Sequence, residues 1–278
     1  MGKTLRSKML MLYLITVIVP LVIILILLPY YYNGIFVRQT IQLSEGTLVS
    51  LTTNIEMYLD DLDRLTLTPY LNDDVMVALK QKASNEFDRS SEYSRYMAER
   101  AIRFNLSKQM RNTRKDILGT ILLPVDGSVY QINAVDRSGP VPGFPYEEQT
   151  WYRKAVDQDG RVAFISSHPQ NYIQLDSYKQ VFSVARLLKD PDSGKPLAVI
   201  MTDAANVVLE NIIHQAKFNV STIVAILDEN NRPLYSSRSL EDSLLGQLSA
   251  NPGVVKGNHD SYRMISRTMP SSGWRIVV

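Results

Sequence analysis

The feature that most constrains this chain is an uncharged apolar segment, MLMLYLITVIVPLVIILILLP, at residues 9–29. With about 1.5 Å of rise per residue, a helix of this length spans roughly 32 Å, which matches the bilayer hydrocarbon thickness of about 30 Å. The segment therefore predicts a membrane-spanning helix, which we place at residues 9–32.

The charges that flank this segment predict its orientation. Lys3, Arg6 and Lys8 precede it, and the next charge along the chain is Arg38. Because cytoplasmic flanks carry an excess of Lys and Arg, we expect residues 1–8 in the cytoplasm and the chain beyond residue 33 outside the cell membrane. A cleaved signal peptide is the alternative. It is disfavoured because its apolar core usually has about 7–15 residues and is followed by a small-residue cleavage site.

Composition excludes several classes of function. The 278 residues include 30 Lys and Arg against 28 Asp and Glu, a net charge of +2. This balance lacks the basic excess of nucleic-acid-binding proteins, so no nucleic-acid partner is predicted. The absence of cysteine excludes disulfides, thiol chemistry and cysteine-ligated metal sites.

A heptad pattern follows the apolar segment. Its two lines of apolar positions are Ile41, Leu48, Ile55 and Leu62, and Val37, Leu51, Tyr58 and Leu65. Such a seam predicts one long helix, which Pro69 ends. We assign residues 33–69 to this stalk helix. The seam can pack on its own domain or pair with a second chain, and the two readings are compatible, so a homodimer through the stalk is expected.

The remaining chain reads as two α+β units with antiparallel strands. In the first, residues 70–205, helical patterns near 72–82 and 89–114 precede about five strands, with hairpin turns at Asp126-Gly127 and at PDSG. The second unit, residues 206–278, repeats the order of helix, hairpin, helix and strands. We expect a helix at 239–248 and strands at 261–270 and 273–278.

No catalytic constellation stands out in the sequence. His168, His214 and His259 lack zinc-ligand spacing, and the G-x-S-x-G, P-loop and G-x-G-x-x-G motifs are absent. We therefore predict neither an enzyme nor a cofactor or metal site in this chain.

A mixture of aromatic and polar residues near strand ends and loops of the first unit favours a small-molecule site instead. The candidates are Tyr130, Trp151, Tyr152, His168, Tyr172, Asp176 and Arg186. The alternatives are that Trp151 is a plain core residue and that Asp176 is a turn residue.

The segment TWYRKAVDQDGRVAFISSHPQNY, together with YKQVFSVARLLKDPDSGKPLAVIMTDA, resembles the membrane-distal half of double-Cache sensor domains. The similarity is greatest to the extracytoplasmic regions of YesM-like membrane sensor histidine kinases. It implies an α+β fold in which a transmembrane helix and a long stalk helix carry two PAS-like units, the distal one binding a small molecule. In that family a second membrane helix, a HAMP linker and a kinase follow, so the sequence, which contains none of them, is expected to be the sensory half of a larger protein or a truncated product.

One departure from the family bears on the ligand. Amino-acid receptors with this fold carry an arginine two residues before the Trp-Tyr pair, where this chain has Gln149. Asp176 lies roughly where those receptors place the aspartate that holds the ligand amine. The resemblance therefore implies a sugar or another small polar metabolite more readily than an α-amino acid.

The expected function is the ligand-sensing module of a two-component sensor histidine kinase. The alternative is the same module in a methyl-accepting chemotaxis receptor or a cyclic-nucleotide signalling protein. An anchored extracytoplasmic enzyme is the remaining possibility, and it lacks a catalytic motif.

Overall fold

The computed structural model describes residues 5–84, 87–111, 116–132, 139–174, 179–219, 222–240, 244, 246–248, 253–257 and 261–278. The chain divides into two units, Met1–Thr47 and Leu48–Val278. The candidate site lies wholly in the second unit.

Helix α1 runs without interruption over Leu5–Thr66, with Pro20 and Pro29 inside it. Among the described residues, one helical segment, Met11–Thr66, is long and apolar enough by length and composition to cross a membrane. The helix ends before Pro69 because the residue preceding a proline is disfavoured in the α conformation. A 3-10 turn, Thr68–Leu71, follows it.

The second half of the heptad seam is buried within its own chain. Its members are at most 5% exposed and belong to the main apolar core: Leu48, Leu51, Ile55, Tyr58, Leu62 and Leu65. Val37 is 42% exposed, and Ile41 is half-buried. The prediction that the seam packs on its own domain is therefore confirmed for residues 48–65.

Three helices follow the 3-10 turn. Helix α2 spans Asp73–Lys82, α3 spans Glu92–Arg100 and α4 spans Ser107–Arg111, with a π-helical segment, Ala101–Leu106, between α3 and α4. We predicted one helix over 89–114. It instead begins at Glu92, because the Ser91 side chain accepts a hydrogen bond from the Ser94 amide at 3.2 Å and caps it. Residues 112–115 lie outside the described part.

The larger sheet has five strands, with every neighbouring pair antiparallel in the order β2-β1-β5-β4-β3. They are β1 (Ile117–Pro124), β2 (Tyr130–Ile132), β3 (Val162–Pro169), β4 (Gln180–Lys189) and β5 (Pro196–Ala205). Both predicted hairpins are present, with Gly127 at φ +81° and Gly194 at φ +70° supplying the left-handed turn conformation.

Both faces of this sheet are covered, and side chains alternate between them. The inner face packs on α1, where the rings of Tyr58 and Phe182 lie 6.1 Å apart. The outer face carries Ile121, Val199 and Met201, which pack under helix α5, Thr150–Asp157. The two faces therefore present different sets of residues.

Helix α6, Asn206–Gln215, leads from the larger sheet to a smaller one. The smaller strands are β6 (Ala225–Leu227), β7 (Pro233–Ser236), β8 (Gly253–Lys256), β9 (Ser261–Met264), β10 (Ser266–Thr268) and β11 (Arg275–Val277). Four of them form a sheet in the order β10-β11-β6-β7, while β8 and β9 form a separate hairpin. Strand β8 was not predicted. Of the helix expected at 239–248, residues 241–243 and 245 lie outside the described part, and residues 246–248 form a turn.

The fold is α+β with antiparallel sheets and a long N-terminal apolar helix, which confirms the predicted class. The junction of β5 and α6 coincides with the expected boundary between residues 70–205 and 206–278, and that division stays a prediction.

Candidate ligand-binding site

The outer face of the larger sheet carries an aromatic layer. Trp151 lies at its centre, with ring centroids 5.8 Å from Tyr172, 6.1 Å from Tyr152 and 6.5 Å from Tyr146. Trp151 and Tyr172 are 4% and 0% exposed. Four of the predicted site residues, Trp151, Tyr152, His168 and Tyr172, meet here, since the His168 ring lies 6.0 Å from that of Tyr172.

A buried carboxylate lies beneath this layer. Asp203 of β5 is fully buried, and it accepts hydrogen bonds from Ser183 Oγ at 2.7 Å and from Gln170 Nε2 at 2.7 Å. Ser183 is its neighbour in the sheet register. His168 Nε2 lies 2.9 Å from Ser183 Oγ. Because Ser183 has a single hydroxyl hydrogen and gives it to Asp203, His168 Nε2 is the donor to Ser183.

Gly119 makes room for this group. It pairs with Asp203 across β1 and β5. A Cβ at this position would lie 3.3 Å from Ile173 Cδ1, 3.5 Å from Gln170 Nε2 and 3.9 Å from Asp203 Oδ2. The absence of a side chain therefore lets Gln170 and Ile173 close over the carboxylate.

Burial dominates the electrostatics of the site. It raises the pKa of Asp203, against the opposing effects of His168 and of the hydrogen bonds from Ser183 and Gln170. Burial also lowers the pKa of His168, although the Asp203 charge opposes this shift. The site thus disfavours unpaired charge on either residue.

The Tyr172 hydroxyl is buried and has no hydrogen-bond partner among the described residues. Burial, and after it the nearby Asp203 carboxylate, raise the pKa of Tyr172 well above the usual range. Leaving a buried hydroxyl unpaired costs about 1–3 kcal/mol. Such an atom is suited to pair with a ligand.

A cleft of about 320 Å³ opens beside the aromatic layer. Phe144, Tyr146 and Tyr152 line it, and Glu147 and Glu148 stand at its rim. Its size is near the lower end of the range of small-molecule pockets, about 300–1,000 Å³. The outer face thus offers an aromatic-walled cleft and, separate from its lining, a buried group of hydrogen-bonding side chains around Asp203.

Comparison with known proteins adds to this picture. No protein-family model and no curated protein sequence matches the chain. Several solved structures do match. The ligand-binding domain of the Pseudomonas fluorescens chemoreceptor CtaA, solved with L-isoleucine, has a TM-score of 0.60 at 14% identity, covering 88% of this chain and 93% of that one.

Two further domains are similar. The ligand-binding domain of the Campylobacter jejuni chemoreceptor Tlp3 with L-valine has a TM-score of 0.52 at 14% identity, covering 86% and 94% of the two chains. That of the Pseudomonas aeruginosa amino acid chemoreceptor PctC with GABA has a TM-score of 0.52 at 13% identity, covering 84% and 95%. The fold is that of a Cache-type sensor domain.

The other predicted ligand-site residues lie away from the aromatic layer or at its edge. Gln149 precedes α5, and its amide donates to the Pro145 carbonyl at 3.0 Å. Asp176 lies outside the described residues. Tyr130 and Arg186 are on the inner face and do not meet Trp151.

Tyr130 belongs to an ionic cluster among α2, α3 and the β1–β2 hairpin. Its hydroxyl donates to Glu99, and its ring faces the Lys82 ammonium at 5.3 Å. Lys82 in turn pairs with Glu99 at 3.2 Å and Asp126 at 3.0 Å. Its partners explain the burial of Tyr130 without a ligand.

Arg186 fastens β4 to the end of α1. Its Nε donates to Thr66 Oγ1 at 2.9 Å, and its other nitrogens bond Asp63 and the Gly160 carbonyl. Side chains alternate between the two faces along a strand, so Arg186, three residues after Ser183, lies on the opposite, inner face.

Sequence reasoning missed Asp203, Ser183 and Gln170 as site residues. A signal for Asp203 was present, since it is the one carboxylate inside the apolar strand Pro196–Ala205. A charge in a strand that is buried on both faces needs partners, which is a reason to assign it a function. Gln170 and Ser183 carried no such signal.

Proposed function

We propose that this chain is the ligand-sensing part of a membrane signalling receptor. The observation that carries the proposal is the outer-face site, in which a buried carboxylate and an unpaired tyrosine hydroxyl lie under an aromatic layer. The Cache-type fold supports it, because the similar solved domains are ligand-binding domains of chemoreceptors.

The ligand we propose is a small polar metabolite that donates hydrogen bonds to Asp203 and accepts one from Tyr172. A sugar hydroxyl meets both requirements, and so does a ligand that carries an amine beside an oxygen. The similar domains were solved with L-isoleucine, L-valine and GABA, so amino acids belong in any screen. Gln149 offers no positive charge to a ligand carboxylate, which favours the sugar class.

A thermal-shift screen of the full chain in detergent, with sugars, amino acids and organic acids, tests this proposal. A ligand at 100 times its dissociation constant adds about 2.7 kcal/mol to the free energy of unfolding. Tyr172→Phe should abolish the shift while leaving the ligand-free chain as stable as before or more so, because it removes an unpaired buried hydroxyl.

Tyr130→Phe is the matched control, since it removes a buried tyrosine hydroxyl from the inner face of the same sheet. It breaks the bond to Glu99, so the ligand-free chain should lose stability while the ligand shift persists. Equal ligand shifts in the two variants would remove the outer face from the binding site.

We further propose that residues 9–32 cross the cell membrane, with residues 1–8 in the cytoplasm. The stalk of residues 33–69, a ligand-binding unit at 70–205 and a membrane-proximal unit at 206–278 would then lie outside. The basic residues Lys3, Arg6 and Lys8 support this orientation.

A reporter enzyme that works only outside the cytoplasm, fused after Val278, should be active. The same fusion lacking residues 1–32 should be inactive. Activity of a cytoplasmic reporter at that position would refute the orientation.

The output to which the sensor couples has two candidates. The sequence resemblance favours a two-component histidine kinase, whereas the similar solved domains come from chemoreceptors, which supports a chemotaxis receptor at least as well. Fusing the chain to a kinase module and to a methyl-accepting module, each through its own second membrane helix, distinguishes them. The matching output should respond to the ligand found in the screen, and the other should not.

A further inference from the structure

The cleft beside the aromatic layer is a second candidate for a binding site. Residues of the β1–β2 hairpin between positions 123 and 129 form one wall, and residues 144–148 with Tyr152 of α5 form the other. Asp203 and Tyr172 are not part of its lining. At about 320 Å³, the cleft has room for a small molecule of its own.

Three aromatic rings line this cleft, and contacts within the chain hold them in place. The ring centroids of Phe144 and Tyr146 lie 4.9 Å apart, and the Tyr146 hydroxyl donates to the Tyr172 carbonyl oxygen at 3.1 Å. The Tyr152 ring lies 6.1 Å from that of Trp151. Because Phe144 and Tyr152 are only half-buried, part of their surface faces the cleft. The rings thus form a wall that exists before any ligand binds.

Most of the neutral hydrogen-bonding groups at the cleft are already used. The Tyr146 hydroxyl bonds the Tyr172 carbonyl, and Ser128 Oγ donates to Asp126 Oδ1 at 2.5 Å. The rest of the hairpin wall consists of apolar side chains and a glycine: Leu123, Pro124, Gly127 and Val129. Ring surfaces and charge are therefore what the cleft offers to an occupant.

The charge of the cleft is negative. Its lining contains Glu147 and Glu148 and, among the described residues, no Lys or Arg. Both carboxylates are exposed, and neither makes an ion pair with a residue of the described ranges. Arg153 follows Tyr152 in α5 but lies outside the lining. Burial raises the pKa of Tyr152, and the Glu147 charge raises it further, so this carboxylate acts on the ring beside it.

We infer that this cleft binds a small organic cation that carries a quaternary ammonium group. Such a cation is attracted to the faces of aromatic rings, and the attraction strengthens as the cation loses water. Its methyl groups need no hydrogen-bond acceptor, whereas the N–H groups of a primary ammonium do. The carboxylates of Glu147 and Glu148 supply the opposite charge. Occupation of this cleft does not require a ligand at Asp203.

Choline is the probe, and two analogues separate its charge from its shape. Its neutral isostere dimethylbutanol has carbon in place of the ammonium nitrogen, and ethanolamine keeps the charge without the methyl groups. Equilibrium dialysis of the full chain in a polyoxyethylene detergent, which carries no ammonium group, measures the binding of labelled choline. We expect saturable binding, with each analogue competing about tenfold more weakly than choline itself. An absence of saturable binding, or equal competition by either analogue, would overturn the proposal.

Removal of the two carboxylates tests the electrostatic part. Glu147→Gln with Glu148→Gln should weaken choline binding by about tenfold, the equivalent of about 1.4 kcal/mol. Glu45→Gln with Glu92→Gln removes two exposed carboxylates elsewhere and should leave the affinity within about twofold. Melting temperatures of the variants establish that they fold. Equal choline affinities of the two double variants would overturn the assignment to this cleft.

Two tyrosine variants separate this cleft from the Asp203 group. Tyr152→Leu removes a ring of the wall and should weaken choline binding by about fivefold. Tyr172→Phe removes a hydroxyl that is not in the lining, so the choline affinity should stay within about twofold even though binding at Asp203 is lost. Unchanged affinity in Tyr152→Leu, or loss of choline binding in Tyr172→Phe, would refute a separate cation site.

Discussion

At position 119, a hydrogen atom in place of a side chain allows the Asp203 carboxylate to be enclosed. Gln170 and Ile173 lie over the strand where a Cβ would otherwise be, at 3.5 Å and 3.3 Å. Gln170 then donates to Asp203, which needs such bonds because it has no exposure to water. The requirement at Gly119 is therefore one of space.

Gly119→Ala should reduce the free energy of unfolding by about 1–3 kcal/mol, because the added methyl group pushes on Ile173 and Gln170. Thermal unfolding of the full chain in detergent measures this. Gly139→Ala is the control, since nothing lies within 4 Å of its would-be Cβ. An equal effect of the two substitutions would show that the space around Gly119 is not limiting.

At the scale of elements, Lys82 joins α2, α3 and the β1–β2 hairpin. Its side chain is 3% exposed, and it pairs with carboxylates from the two other elements. Burial alone would raise the pKa values of Glu99 and Asp126. Hydrogen bonds from Tyr130 and Lys82 to Glu99, and from Ser128 and Lys82 to Asp126, lower both instead. The cluster thus holds two elements to α2 through one cation.

Lys82→Met should lower the free energy of unfolding by about 3 kcal/mol at neutral pH, because it leaves the carboxylates beside an apolar side chain. Folding lowers the pKa of Glu99 from its usual value of 4.5 and that of Asp126 from 3.8. The two carboxylates therefore contribute fully to the free energy of unfolding above these usual values, and the contribution is lost as the pH falls through their pKa values in the folded chain. Denaturant unfolding between pH 3 and 7 should show a steep acid loss in the native chain and a shallower one in the variant.

Lys80→Met is the control for this experiment, since the Lys80 side chain is 37% exposed, against 3% for Lys82, and its partners are half-buried Asp190 and exposed Asp192. It should change stability far less than Lys82→Met. Parallel pH curves for the native chain and Lys82→Met would contradict the assigned role of Lys82.

At the scale of the whole molecule, burial of the heptad seam from Leu48 onward limits where two chains can pair. The side chains at 48–65 are occupied by the core, while Val37 remains 42% exposed. Pairing through the stalk, which the heptad pattern predicts, must therefore use the part of the seam before Leu48.

Single cysteines in this cysteine-free chain test the proposed pairing. Substitutions at Val37, Ile41 and Ser44 should give strong disulfide crosslinking in membranes, since these positions follow the seam. Leu43, which is 73% exposed, lies off the seam and should crosslink weakly. Crosslinking without this periodicity would leave the seam as internal packing only.

The sequence by itself determined the class of this fold and its longest elements. A heptad pattern, two glycine-containing turns and an uncharged apolar run are local signals, so they located α1, the two predicted hairpins of the larger sheet and the α+β class. These local signals did not predict the short strand β8. They also did not show that a helix cap and a π-helical turn divide the helical region at residues 89–111.

Only the tertiary structure decided which residues form a site. Tyr130 and Arg186 have the same chemistry as pocket residues, but strand alternation turned them toward the inner face, where ionic partners hold them. Asp203, Ser183 and Gln170 meet only through the register of β4 with β5 and the fold of the segment after β3. Such register depends on pairing between distant parts of the chain, so local patterns do not encode it.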